Sequence, residues 1–216
     1  IAFAKHGIGY APPEAFDLYG IGPYYPGSPD LVAEESKNFE IGFSYQDESL
    51  KNTLNVSFFS SEYDNLIFAE FDFPNNIYFP SENINNTEAL GIEISSKHQL
   101  SSFFSVSSSL THMRAKNLDS GDNYLIRRPE FWGSISAIYD NQNFNLGAQL
   151  NFRQNTMDNN GEADDYSIVR LFSSYEILEG LVLNSRIENL FDTQYEEVVG
   201  YPALGRAIHA GLRYSF

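Results

Sequence analysis

The stretch Phe144-Asn145-Leu146-Gly147-Ala148-Gln149-Leu150-Asn151-Phe152 alternates strictly between apolar and polar or small residues. In an extended chain successive side chains point to opposite sides. Phe144, Leu146, Ala148, Leu150 and Phe152 therefore share one face, and Asn145, Gly147, Gln149 and Asn151 share the other. A helix would need apolar spacing near 3.6, which is absent here. The same period recurs in both directions. Phe39, Ile41, Phe43 and Tyr45 alternate with Glu40, Gly42 and Ser44, as Leu54, Val56 and Phe58 do with Asn55 and Ser57. Leu90, Ile92 and Ile94 face away from Gly91, Glu93 and Ser95. Phe131, Ile135, Ala137 and Tyr139 share a face with Gly133. Val169, Leu171 and Tyr175 oppose Arg170, and Leu181, Leu183 and Ile187 oppose Asn184, Arg186 and Glu188. The last run, Ile208, Ala210, Leu212, Tyr214 and Phe216, alternates with His209, Gly211, Arg213 and Ser215. With a stub at the start and Phe104 to Arg114, about ten strands are predicted, each near the length of a tilted spanning strand.

Composition narrows the class. Of 216 residues 42% are hydrophobic and 15% aromatic, with 18 Phe and 14 Tyr against one Trp, and the mean hydropathy is −0.32. A spanning helix needs roughly 20 apolar residues, and the longest apolar runs here, such as Leu66 to Ala69, are far shorter. A spanning strand needs only about 9–11 residues with every second one apolar, so a barrel can be polar on average. There are no cysteines, which allows an oxidising compartment without demonstrating one. The balance of 29 Asp+Glu against 13 Lys+Arg, net −16, argues against a nucleic-acid partner. The chain opens Ile1-Ala2-Phe3-Ala4-Lys5, without initiator Met, charged n-region or apolar h-region, as if within a strand. The expectation is a fragment of a longer protein.

The connections alternate in length. Short turns are expected at Asp47-Glu48-Ser49, Gln99-Leu100-Ser101, Asp140 to Asn143 and Glu176 to Gly180. Long polar loops are expected at Ala11 to Ser36, Phe71 to Asn85, Asn117 to Arg128, Thr156 to Asp165 and Asp192 to Gly205. That segregation matches bacterial outer-membrane barrels, whereas a soluble β-sandwich has no reason for it. Alternation alone does not say whether the apolar face fills a dry core or meets lipid. Two features favour lipid. The polar face carries mid-strand charges: Glu40, Glu93, Arg153, Arg170, Arg186, Glu188 and Arg213. Aromatics fall at strand ends, as in Phe39 and Tyr45, Phe144 and Phe152, Phe131 and Tyr139, and Tyr214 and Phe216, where rings with a polar edge form interfacial girdles.

The C-terminal stretch carries a more specific signal. Asn189-Leu190-Phe191-Asp192, Tyr195, Gly200-Tyr201-Pro202 and Gly205-Arg206, then an alternating strand ending at Phe216, resemble the last hairpin of TonB-dependent receptors. Tyr214 and the terminal Phe216 resemble the signal read by the barrel-assembly machinery. Upstream, Ala11-Pro12-Pro13, Leu18-Tyr19, Gly27-Ser28-Pro29-Asp30-Leu31 and Glu34-Glu35-Ser36-Lys37 resemble a loop of the same family, with Ser28 in place of Asn and Ala33 in place of Pro. Asp64-Asn65-Leu66-Ile67, Asn86, Gly91-Ile92-Glu93 and Arg127-Arg128-Pro129 continue the match in order along nearly the whole chain. Within the family, Leu18-Tyr19-Gly20, Ser36-Lys37, Leu125 to Arg128 and Val198 to Tyr201 are most similar to the vitamin B12 (cobalamin) receptor group.

The resemblance implies an all-β fold: residues 1–216 as the C-terminal part, about ten strands, of a 22-stranded antiparallel transmembrane β-barrel, with plug domain, TonB box and N-terminal strands absent. It implies a Gram-negative outer-membrane location and partners that include outer-membrane lipid, the TonB complex through the missing N-terminal region, the barrel-assembly machinery and a small-molecule ligand. That ligand would be cobalamin, or alternatively a ferric siderophore; a passive porin-like channel is a further alternative. Candidate ligand-binding residues are the loop aromatics Tyr19, Tyr24, Tyr25, Tyr78, Tyr124 and Tyr201, with Phe71, Phe73 and Phe79 nearby. Asp158, Glu162, Asp164 and Asp165 form an acidic loop, but the D-x-D-x-D-G-x₅-E spacing of a calcium loop is not met, and a solvated acidic loop is expected. No metal site, cofactor or catalytic residue is expected. His6, His98, His112 and His209 are scattered, and no G-x-S-x-G is present to support an outer-membrane lipase.

Overall fold

The structure is a computed structural model and describes every residue except 23–24, 50, 70, 73–76, 85–86, 119–122 and 160; the side chains of 71, 72 and 123 are likewise outside it. Ten long strands form one antiparallel sheet: β1 (Ala2–Ala11), β2 (Glu34–Gln46), β3 (Asn52–Asp64), β4 (Thr87–Gln99), β5 (Phe104–Asn117), β6 (Phe131–Asn141), β7 (Phe144–Gln154), β8 (Tyr166–Leu178), β9 (Leu181–Glu188) and β10 (Ala207–Tyr214). Each pairs with its neighbour in sequence, giving a simple meander, and Asn123–Tyr124 adds a short flank to β5. Among the described residues no helix is long and apolar enough to cross a membrane.

The registers decide which residues share a face, since residues directly opposite in an antiparallel pair point the same way. One rung runs Ile41↔Phe58, Phe58↔Ile92, Ile92↔His112 and His112↔Phe131. Another runs Ile135↔Leu150 and Leu150↔Val169. The opposite parity carries Glu40, Asn55, Glu93, Gln149, Arg170 and Arg186. The apolar face is the open one. Ile41 is 50% exposed, Phe58 56%, Leu90 54% and Leu212 67%, whereas the alternating Asn38, Glu40, Gly42 and Ser44 are partly covered. Among the described residues only Ala115 and Ala163 are buried hydrophobics. A dry interior filled by the strand Phe and Leu is therefore absent, and the apolar parity faces outward, as lipid contact requires.

Two pairs of outward-facing serines answer each other. Ser96 and Ser108 lie opposite each other with hydroxyls 3.0 Å apart, and Ser173 and Ser185 do the same at 2.8 Å. A lone hydroxyl in hydrocarbon would forfeit its hydrogen bond. On the inward face Lys5 Nζ meets Glu40 at 3.0 Å, and Glu188 takes Arg186 Nε at 3.1 Å and Arg170 Nε at 3.3 Å. The inward face also carries three Phe residues that alternation alone does not explain. Phe3, Phe59 and Phe172 each lie directly across from a glycine, Gly42, Gly91 and Gly147. A Cβ at any of these glycines would strike the facing ring. The ring covers backbone that a side chain would otherwise shield.

At the short-turn end, Phe103, Tyr139, Phe144 and Tyr175 follow one another with ring centroids 6.2, 6.5 and 6.4 Å apart. At the opposite end Phe131 meets Phe152 at 5.0 Å. The first is a row of the kind that forms an aromatic girdle; the second is a single pair. Phe39, expected at a strand end, sits instead near the middle of β2, because β2 continues past the apolar belt through Glu35 and Lys37. The short turns are tight. Asp47 accepts hydrogen bonds from the Asn52 side chain at 2.6 Å and from Lys51 N at 2.8 Å. Those bonds, Asn52 foremost, pull its carboxyl down to about 2. Gly180 has φ 76°, and Ser215 N donates to its carbonyl, so a side chain there would be strained and crowded.

Two substitutions test the sorting of faces. Leu150→Arg places a charge on the lipid side in mid-strand and should cost about 2–4 kcal/mol, whereas Gln149→Arg on the inward side should be tolerated; folding of the protein into lipid vesicles, followed by denaturant titration, reads the difference. Gly147→Val must displace Phe172, and overpacking of this kind costs about 1–3 kcal/mol. Gly211→Ala meets open space, so its midpoint in the same titration should stay close to wild type.

Candidate ligand-binding loop face

The five long connections all leave the same end of the sheet, and they are more ordered than polar loops need be. The first contains a five-residue helix, Ala15–Tyr19, whose Asp17 carboxylate accepts from Glu14 N at 3.2 Å. Two-stranded ribbons join Gly20–Ile21 to Tyr25–Pro26, Leu66–Phe68 to Glu82–Ile84, Phe71–Asp72 to Ile77–Tyr78, Thr156–Asp158 to Gly161–Ala163, and Glu196–Val198 to Tyr201–Pro202.

Hydrogen bonds between loops fall into two groups. In the first, Asn83 bridges the first and second long loops. Its Nδ2 donates to Val32 O at 3.0 Å and Asn65 O at 2.6 Å, while its Oδ1 accepts from Val32 N at 3.0 Å. Glu34 adds a bond from Ile67 N at 2.8 Å. In the same two loops Tyr25 packs, tilted, between Phe16 at 4.2 Å and Tyr78 at 4.5 Å. Burial, then the nearby Asp17 carboxylate and Tyr78, raise the Tyr25 phenol above its ordinary value, so it stays protonated and able to donate.

The second group centres on Asp158. Its side chain is 3% exposed; Oδ1 accepts from Arg127 Nε at 3.0 Å and from Asn159 N at 2.8 Å, and Oδ2 accepts from Val199 N at 2.9 Å. One carboxylate thus joins the third, fourth and fifth long loops. Burial alone would raise its pKa, but the N–H donors of Val199 and Asn159, together with Arg127, outweigh burial and hold it below the ordinary carboxylate range. Beside it Glu196 N donates to Asp164 at 2.9 Å, Arg153 donates to Glu197 O at 2.7 Å, and the Tyr166 hydroxyl donates to Glu197 Oε1 at 2.8 Å. Tyr195 packs on Tyr166 at 4.2 Å.

In the acidic loop Glu162, Asp164 and Asp165 are exposed as expected, and only Asp158 is buried. Asp158, Asp164 and Asp165 each accept a backbone N–H, the last from Asn155 at 2.7 Å. Among the described residues no three metal-ligating side chains converge. The Asn189-Leu190-Phe191-Asp192 motif has a similar mechanical reading. Asn189 is 3% exposed at φ 47°; its side chain accepts from Thr193 N at 2.9 Å and donates to Thr193 O at 2.8 Å. Asp192 accepts from Arg206 N at 2.7 Å, and a Cβ on Gly205 would crowd that same carboxylate. Arg206 returns a bond to Leu190 O at 3.2 Å. The motif closes the last loop.

Of the candidate aromatics, the structure brings Tyr25 and Tyr78 together. Tyr19 is 76% exposed and Tyr201 62% exposed, each on its own loop. Tyr124 lies beneath Lys116, whose Nζ is 5.5 Å from the ring. Tyr24 and Phe73 lie outside the described residues, as does the Phe71 side chain. Phe16, Asn83 and Asp158 complete the loop architecture, and sequence reasoning missed their roles. Only Asp158 was within a segment singled out by its composition.

Comparison with known proteins now places the chain. A family model for the TonB dependent receptor-like β-barrel matches residues 2–190. A vitamin B12 transporter, BtuB, of Vibrio vulnificus strain YJ016 is 29% identical over 222 residues, covering 99% of this chain and 34% of that protein. Among solved structures, the copper transporter OprC superposes with TM-score 0.82 at 16% identity, covering 100% of this chain and 37% of the other. The ferric yersiniabactin uptake receptor FyuA from Yersinia pestis gives TM-score 0.78 at 18% identity, over 100% and 35%. These last two are likenesses of fold alone. The chain spans about a third of the length of the curated relatives it matches.

Because folding depresses the Asp158 pKa, its contribution is present in full above the ordinary carboxylate range and is lost as pH falls through its lowered value. Amide exchange of Met157, Asn159 and Val199 should accelerate in that acid window. Asp158→Asn should bring the same loosening at neutral pH, by about 1–3 kcal/mol of local protection; unchanged exchange in the variant would show that the three loops are held some other way.

Proposed function

This chain belongs to the TonB-dependent receptor β-barrel family, and from that premise we propose that its parent protein is an outer-membrane active-transport receptor for a scarce chelate of the cobalamin class. The observation that carries the reading is the similarity to vitamin B12 transporters, which runs through walls and loops alike over 99% of the chain. In this reading residues 1–216 are the C-terminal part of a 22-stranded barrel in a Gram-negative outer membrane. A plug domain and the segment that engages TonB precede them in the parent. Ligand capture falls to the loop face, where the Phe16–Tyr25–Tyr78 cluster offers flat apolar area with phenol hydroxyls at its edge, suited to a large planar chelate. Tyr19, Tyr124 and Tyr201 would contact ligand only if their loops closed inward. Tyr214 and Phe216, 63% and 111% exposed, serve as the terminal signal for barrel assembly. The family is one of transport receptors rather than enzymes.

Uptake of a ferric siderophore is the second reading, since the same barrel fold is shared by a ferric yersiniabactin receptor. Titration of the purified parent receptor separates the two. Cyanocobalamin should bind, and Tyr25→Ala or Tyr78→Ala should each weaken binding about 3- to 10-fold, the scale of one lost aromatic contact. Tight binding of a ferric siderophore with none of the corrin reverses the order of the two readings.

A further inference from the structure

A cationic stripe lies on the outward wall where such a wall should be apolar. His112, Arg114 and Lys116 alternate along β5 on the same parity as Leu110 and Val106, hence on the lipid side. Lys116 is held over the Tyr124 ring. Arg114 is exposed and, among the described residues, has neither an ion pair nor a hydrogen bond. Its cross-strand partner is Leu90, and from there a shallow apolar groove of about 450 Å³ runs over Ile92, Phe58, Ile41 and Phe39. The groove is open on the outward face, beneath a rung of charges, Lys37, Glu62, Glu88 and Lys116, that marks the upper limit of the apolar belt. The long loops emerge just above it.

An unanswered guanidinium at the rim of a hydrocarbon-facing groove calls for a ligand that is anionic at one end and oily at the other. Arg presents paired donors suited to phosphate oxygens. The geometry points to a bound phosphorylated glycolipid of the leaflet on the long-loop side, of the lipid A class, with a phosphate on Arg114 and an acyl chain lying in the groove from Leu90 to Phe39. The stripe favours this class over a simple anionic phospholipid. The two permanent cations, Arg114 and Lys116, stand two residues apart, roughly 7 Å along the strand at about 3.4 Å per residue, and a headgroup with more than one phosphate can use both. Glu88 faces Lys116 directly on the rung above and Glu62 lies one strand farther, so the anion is drawn to Arg114, below that rung, and Lys116 has the smaller share.

The inference rests on the outer-membrane placement given above, but not on the choice of transported ligand. The test uses the intact parent receptor in phosphatidylcholine nanodiscs doped with bisphosphorylated lipid A, with retained lipid counted by native mass spectrometry after release. Wild type should retain lipid A. Arg114→Gln should retain at least 10-fold less, Lys116→Gln an intermediate amount, and Arg213→Gln on the inward wall as much as wild type. Equal retention by Arg114→Gln overturns the site. So does equal retention of dephosphorylated lipid A, and retention of phosphatidylglycerol in its place overturns the lipid class. Cyanocobalamin titration on the same preparations separates failure of this inference from failure of the transport reading, because the stripe lies on the opposite face of the wall from any lumen ligand.

Discussion

The fold depends on one coupling: each backbone rung that pairs two strands also fixes the side to which both residues point. In hydrocarbon no water is available to satisfy a strand N–H or C=O, so the ladder must be complete wherever lipid touches it. Across the sheet from β1 to β10 that ladder holds a single parity, apart from one irregularity between Glu176 and Leu178 beside the β8–β9 turn. A slip of one residue between any two neighbours would exchange the faces of everything beyond it. Glu40, Glu93, Arg170 and Arg186 would then point into lipid and Ile41, Ile92 and Leu171 into the polar interior. The penalty falls on many residues at once, which is why register can be exact without any large packed core.

Little else holds the wall. Buried hydrophobic side chains are almost absent among the described residues. The main driving force of a soluble fold, apolar area moved from water into a protein core, is replaced here by apolar area moved from water into lipid. The inward ion pairs add little individually. The Arg170, Arg186 and Glu188 side chains are 37–47% exposed, and pairs so open to water gain modestly. The three inward Phe rings laid on Gly42, Gly91 and Gly147 act differently, covering backbone from the wet side while leaving room for close strand approach. They are packing units built across strands rather than along them.

That distinction sets what the sequence could reveal. Phe144 to Phe152 announces its two faces because parity is written in consecutive residues, and the contrast of short and long connections follows from the same count. Phe3, Phe59 and Phe172 break the local pattern, and their reason is a glycine on another strand, between about 25 and 40 positions away. Nothing local signals it. The loop braces are hidden for the same reason. Asn83 reads as an ordinary polar loop residue until Val32 and Asn65 come beside it. Asp158 looks like one member of a solvated acidic run until Arg127 and Val199 close over it. The Asn189-to-Arg206 motif was legible as a signature, but its purpose, a side-chain clasp that shuts the last loop, needed coordinates.

Wall and loops thus obey different rules, and this bears on how one architecture can serve many ligands. A wall specified by parity accepts any residue of the right polarity at most positions, so its sequence can drift while its shape stays fixed. A loop held at a few points, as the third, fourth and fifth long loops are joined at Asp158, depends on those points for its position and much less on the side chains between them. The loops of this chain are braced in two groups, one through Asn83 and one through Asp158, each anchored to a different part of the wall. Side chains between braces can then change to suit a ligand without disturbing either anchor. Tyr25 is such a side chain: its ring packs between Phe16 and Tyr78. Recognition can therefore evolve on the loop face at small cost to the barrel that carries it.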